Sequence, residues 1–262
     1  MACCTKKLIV VTLLVLLSAI HLKALCQDIV KPDLNALSEQ LLTNIREGKD
    51  TRHFQEALKK TSLAALEQGL ADDYRRIAFW VNIYNAYIQL ILSENPGLYK
   101  DRDDFFKREQ IPIAGKNISF AKIEHGILRK SQWEFGLGYF RKWFPDEFER
   151  RLRVQNPDYR IHFALNCGAK SCPPVAIYTA RRLDTQLKTA TRNYLQRTST
   201  YDKKQGEVAV TALFNWFRGD FGGSSGIRKI LADSGVIPRG SEAAITYKDY
   251  DWTLHLDNFT TL

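Results

Sequence analysis

The chain reads as a helix-rich α+β fold, a single domain in which a central apolar helix packs on a small, mainly antiparallel sheet. Three observations carry this expectation. Residues 72–93 hold the run Ile77-Ala-Phe-Trp-Val-Asn-Ile-Tyr-Asn-Ala-Tyr-Ile-Gln-Leu-Ile-Leu92, apolar nearly all round, as a buried helix is. Helical spacing fills the first third, whereas short strand patterns come later and lie far apart. The regular strand–helix alternation of a doubly wound sheet is missing.

Taken in order, residues 1–26 read as an export leader. Lys6-Lys7 precede the apolar run from Leu8 to Ile20. A run of about a dozen residues suits a signal sequence and is too short for a bilayer span, which needs roughly 20. Ala24-Leu25-Cys26 resembles a small-x-small cleavage site and makes Gln27 the expected mature start. A lipoprotein with Cys26 as its lipidated residue is less favoured, because Lys23 and Leu25 do not suit such a signal. The expectation is an exported chain, periplasmic or extracellular, with no stable membrane span and residues 27–262 as one globular domain.

Pro32-Asp33 opens a helix with Leu34, Leu37, Leu41, Leu42 and Ile45 at helical spacing. A second helix is expected from Arg52 to Glu67, and the central one ends at Asn95-Pro96-Gly97. A hairpin follows, Ile111–Ile113 and Ile118–Phe120, turning at Gly115-Lys116-Asn117. Next comes a helix from Ala121 to Lys130 that carries Glu124 and His125. Arg160–Asn166 is expected as a strand, apolar on both faces except at His162 and Asn166. Then come a helix over Leu183–Arg197, a strand at Glu207–Val210, an aromatic helix near Leu213–Phe217, a small helix at Ile227–Ala232 and a strand at Ala244–Tyr247.

Charge narrows the partners. Lys and Arg number 38 against 29 Asp and Glu, a net +9, and removing the leader's Lys6, Lys7 and Lys23 lowers this to +6. No run of four basic residues occurs. Arg141-Lys142 and Arg150-Arg151 interleave with Asp146, Glu147 and Glu149, the pattern of a solvated helix face rather than a nucleic-acid footprint. A peptide or small molecule is the expected partner class, no nucleic acid is expected, and the oligomeric state is not encoded legibly.

Four motifs occur in order: Trp80-Val-Asn-Ile-Tyr-Asn85, Ile123-Glu-His-Gly-Ile-Leu-Arg129, His162-Phe-Ala-Leu-Asn-Cys167-Gly with Ser171-Cys172-Pro173, and Tyr250-Asp251-Trp252. In these the chain resembles domain of unknown function family 547, over about residues 72–254. The resemblance implies a site assembled from these segments. It implies no particular reaction.

Of five cysteines, Cys3, Cys4 and Cys26 fall in the leader, leaving Cys167 and Cys172. The pair admits a disulfide, which an oxidising compartment favours. It also admits a nucleophile whose thiol is acidified by an imidazole or by exposed backbone N–H groups. Cys167, before Gly168, is the preferred nucleophile. Cys172 precedes Pro173, which holds it extended. A metal site is not anchored by any CxxC or HxxxH spacing, and neither a phosphate loop nor Gly-x-Ser-x-Gly is present. No cofactor is expected.

The base is expected to be His125, with His162 as the other candidate. On a regular strand His162 shares a face with Asn166 and opposes Cys167. His125 and Arg129 share a helix face, while Glu124 lies about 100° round. Asn82 and Asn85, amides in an apolar helix, must find partners and are expected to orient the histidine or bind substrate. Arg129, Asn166, Ser171 and Cys172 complete the expected substrate-binding set. The function expected is a thiol-dependent hydrolase or acyl transferase with catalytic Cys167, His125, His162 and Glu124. The alternative is a non-catalytic, envelope-associated binding module with a structural Cys167–Cys172 disulfide.

Overall fold

Capping side chains and apolar spacing build the helical first third. A computed structural model describes residues 33–134 and 136–262, so the expected leader lies outside the described residues. Helix α1 (Leu34–Arg46) starts where the Asp33 carboxylate accepts the backbone N–H groups of Asn35 and Ala36. The helix expected over Arg52–Glu67 is two, α2 (Arg52–Lys60) and α3 (Leu63–Gly69). The break falls where Thr61 turns extended and the Ser62 hydroxyl caps the Ala65 N–H. Helix α4 (Asp73–Glu94) is the central one, 22 residues long and capped by Asp72. Its Phe79, Trp80, Val81 and Ile83 are fully buried, and burying each such side chain contributes about 1.5–3 kcal/mol.

After a 3-10 turn at Pro96–Lys100 and α5 (Arg102–Lys107), strands β1 (Ile111–Ile113) and β2 (Lys116–Ile118) pair antiparallel. The two-residue turn falls at Ala114-Gly115, one residue earlier than expected, with both residues at positive φ. The hairpin's Ile111, Ile113 and Ile118 join the core built around α4.

The expected helix at 121–130 is a π-helix, Lys122–Leu128, with Arg129 N–H bonding to Glu124 C=O and Ser131 N–H to Gly126 C=O. Such wide turns cost regular helical bonding and occur often at functional sites. At Gly126 an added Cβ would meet the Glu149 side chain of α6 (Glu147–Leu152) at 2.7 Å, so a larger residue there would have to displace that carboxylate.

One expectation is corrected: Arg160–Asn166 is not a strand. Tyr159–Phe163 is a 3-10 helix, started by the Asp158 carboxylate accepting the Arg160 N–H, and its neighbour is α7 (Leu183–Thr198) rather than another strand. A short apolar run distinguishes poorly between a buried strand and a buried helical turn.

The second half adds β3 (Thr200–Asp202), β4 (Glu207–Val210), α8 (Leu213–Trp216), α9 (Gly223–Asp233) and β5 (Ala244–Tyr247). The sheet order is β3-β4-β5, with β3 antiparallel and β5 parallel to β4. A second core gathers Phe163, Tyr194, Val208, Phe214, Phe221 and Leu231. Among the described residues no helix is long and apolar enough to cross a membrane.

Candidate functional site

The two cores meet along a cleft of about 210 Å³, to which both contribute. Its polar lining is Glu124 and His125 from the π-helix, Glu134, His162 from the 3-10 turn and Cys167. Its walls are aromatic. Trp216 stacks on Trp252 at 5.5 Å between ring centres and 22° between planes, and Tyr250 lies against both rings.

A buried ionic chain supports this floor. Arg129, 2 % exposed, donates from Nε and Nη2 to the two carboxylate oxygens of Asp220, at 2.6 and 3.1 Å. Its Nη1 lies 2.7 Å from His125 Nδ1. A guanidinium has no acceptor, so Nδ1 must accept, and the neutral imidazole keeps its proton on Nε2. On the far side of Asp220, Oδ2 accepts from His162 Nε2 at 2.8 Å, and the His162 ring stacks on Phe217 at 4.0 Å. The Arg129 guanidinium also sits over the Phe217 ring, 4.7 Å from its centre.

The environment separates these groups electrostatically. Burial, then the charge of Arg129, pushes His125 down to about 3. Burial alone would raise Asp220, but the hydrogen bonds from His162 and Arg129 outweigh it and hold the carboxyl at about 2. Burial also lowers His162, with Asp220 opposing. Glu124 moves the other way. Burial lifts it to about 7, against Arg129 and a hydrogen bond from Tyr84, and with help from the negative charges of Asp220 and Glu134. A carboxyl near 7 suits proton transfer at neutral pH.

Cys167 and Cys172 form a disulfide. Cys167 is half-buried and opens on the cleft, while Cys172 is 2 % exposed and turned away. The Cys167 backbone N–H donates to Cys172 Sγ at 3.0 Å, and Tyr250 Oη donates to the same sulfur at 3.2 Å. Gly168, at φ +85°, turns the chain directly after Cys167. No hydrogen bond among the described residues joins Cys167 to His125 or His162; its partners are Cys172 and Tyr250.

Of the residues expected at the site, Glu124, His125, His162 and Cys167 come together and the amides do not. Asn82 is fully buried and holds the Tyr178 backbone, donating to its C=O at 2.7 Å and accepting its N–H at 2.9 Å. Asn85 likewise binds Ala164 C=O and Asn166 N–H, and Asn166 binds Pro173 C=O and Gly168 N–H. Asn85 and Asn166 position the Cys167 loop, Asn82 holds the chain at Tyr178, and all three amides are fully buried. Arg129 is consumed by Asp220 and His125. Ser171 pairs with Asp251 on the opposite side of the disulfide, where Cys172 also lies.

Asp220 escaped the sequence reading, as did Glu134 and the wall residues Trp216 and Phe217. The one local signal for Asp220 is its setting in Gly219-Asp-Phe-Gly-Gly. At Gly219 an added Cβ would meet the Gly138 backbone at 2.6 Å, so this loop must approach its neighbour closely.

Residues 68–195, which carry the π-helix, the 3-10 turn and the disulfide loop, match the model of a family described as protein of unknown function, DUF547. The match supports assigning this region to that family. Trp216 and Tyr250, which line the cleft, and Asp220, which holds Arg129 and His162, come from outside the matched DUF547 segment. No curated protein and no solved structure matches the chain.

Proposed function

We propose that the cleft is the active site of an exported hydrolase or acyl transferase that acts on a carbonyl substrate through the Cys167 thiol once its disulfide is open. The observation that carries this reading is Glu124 at about 7 in the same cleft as Cys167. Glu124 takes the proton of the attacking thiol and returns it to the leaving group. His125 serves as a donor rather than the base, because Arg129 occupies Nδ1 and leaves Nε2–H to bind a developing oxyanion. His162, its Nε2 bonded to Asp220, is a positioning residue. The aromatic walls favour a substrate with an apolar flank, a peptide or a small molecule. Export to the periplasm or beyond, after cleavage of a signal sequence, is part of the proposal and suits a protein holding a disulfide.

The test is acylation of reduced protein by 4-nitrophenyl acetate, with the adduct located by mass spectrometry. The expected result is acetylation of Cys167, with a rate that rises as pH passes through about 7, and loss of that rise in Glu124→Gln. An adduct that survives in Cys167→Ser, or an unchanged profile in Glu124→Gln, overturns it. A second reading, a non-catalytic envelope-associated binding module, is supported by the closed disulfide and the stacked Trp216–Trp252 wall. It predicts no acyl adduct in either redox state.

A further inference from the structure

The two sulfurs of the disulfide differ in ways the acyl chemistry does not require. Cys167 is half-buried and lines the cleft. Cys172 Sγ is buried and collects two donors, the Cys167 N–H at 3.0 Å and the Tyr250 hydroxyl at 3.2 Å, which is nearer to it than to Cys167 Sγ at 3.6 Å. Tyr250 itself is driven by burial to ionise well above its ordinary range, so it stays a donor. In thiol–disulfide exchange the bond breaks toward the sulfur that better holds negative charge as it leaves. Here that sulfur is Cys172, and the accessible one is Cys167.

We infer that this disulfide is an exchange site, attacked at Cys167 by a thiol that enters the aromatic cleft, with Cys172 as the leaving sulfur. The thiolate forms a new S–S bond to Cys167 Sγ, the Cys167–Cys172 bond breaks, and Cys172 departs as a thiolate held by Tyr250 and the backbone N–H. A second thiolate attacks the incoming sulfur of the mixed disulfide and releases Cys167. Two external thiols are thereby oxidised to one disulfide, and the protein pair takes up two electrons and two protons. Reverse exchange with an external disulfide restores the starting state. Trp216, Phe217 and Trp252 line the cleft that the thiol enters. The inference rests on the sulfur geometry alone, so it stands or falls apart from the hydrolase reading.

The test treats the folded protein with millimolar glutathione for a short interval, then adds a large excess of N-ethylmaleimide, which consumes the remaining glutathione and caps any freed protein thiol, and maps the product. Lys170 lies between the cysteines, so trypsin separates them. The expected product carries glutathione on the Cys167 peptide and maleimide on the Cys172 peptide. Tyr250→Phe should slow its formation about tenfold, as loss of one hydrogen bond to a charged group does. Glutathione on Cys172, an even distribution, or no adduct until the protein is denatured overturns the inference. The mapping uses the unaltered protein, so it decides even if Tyr250→Phe fails to fold.

Discussion

Arg129 and His125 are joined by a hydrogen bond of 2.7 Å that sets the imidazole tautomer. Because arginine can only donate, it converts a residue type usually read as a base into a fixed Nε2–H donor. The same guanidinium is clamped by Asp220, so the tautomer is controlled from a segment 91 residues further along the chain.

Nitrogen-detected NMR of the imidazoles checks this directly. His125 is expected as the neutral tautomer with Nδ1 unprotonated, and it should not take up a second proton until the pH approaches about 3. An Nδ1–H tautomer, or titration near the ordinary value of 6.5, refutes the assignment.

Asp220→Ala leaves the Arg129 guanidinium buried without its carboxylate and His162 without its acceptor. Breaking one side of a buried ion pair costs about 3–5 kcal/mol. Urea denaturation should show a loss of that size. A loss below about 1 kcal/mol, the level of an exposed pair, means that water reaches Arg129.

Glu124 makes stability depend on pH. Its carboxyl titrates near 4.5 when unfolded and about 7 in the fold, so the unfolded chain releases its proton first. The contribution is fully present below the lower value and is lost as pH rises through the upper one, a decline of about 3 kcal/mol. Denaturation midpoints across this window should fall for the parent protein and stay flat for Glu124→Gln. Parallel profiles would place Glu124 in solvent.

Substitutions at two tryptophans should differ sharply in cost. Trp143 is 89 % exposed, so Trp143→Ser is expected to change stability by no more than about 0.5 kcal/mol. Trp80 is fully buried against Phe79 and Phe148, so Trp80→Ala should cost about 3–5 kcal/mol. Thermal or chemical unfolding of the two variants separates the outcomes. Equal losses would contradict the packing described.

Local patterning made most of the fold legible. The apolar run around Trp80 has no polar face to leave in water, so it could only become a buried helix. The strands Glu207–Val210 and Ala244–Tyr247 emerge at the expected positions. The failures share a cause. At Arg160–Asn166 the local pattern suited two conformations, and the Asp158 cap with α7 alongside selected the 3-10 turn. At Thr61-Ser62 a side-chain cap divided a helix that apolar spacing alone continues.

By itself, the sequence determined which chemical groups the molecule has to work with, the central helix, and the motifs that brought Glu124, His125, His162 and Cys167 under suspicion. Only the tertiary structure decided their roles. Asn82 and Asn85 satisfy backbone, Arg129 sets the tautomer of His125, and Asp220 joins both histidines through partners that no local pattern encodes. The reason is physical: helix and strand propensity act between near neighbours, whereas proton position and acidity depend on burial and on charges brought close by distant parts of the chain.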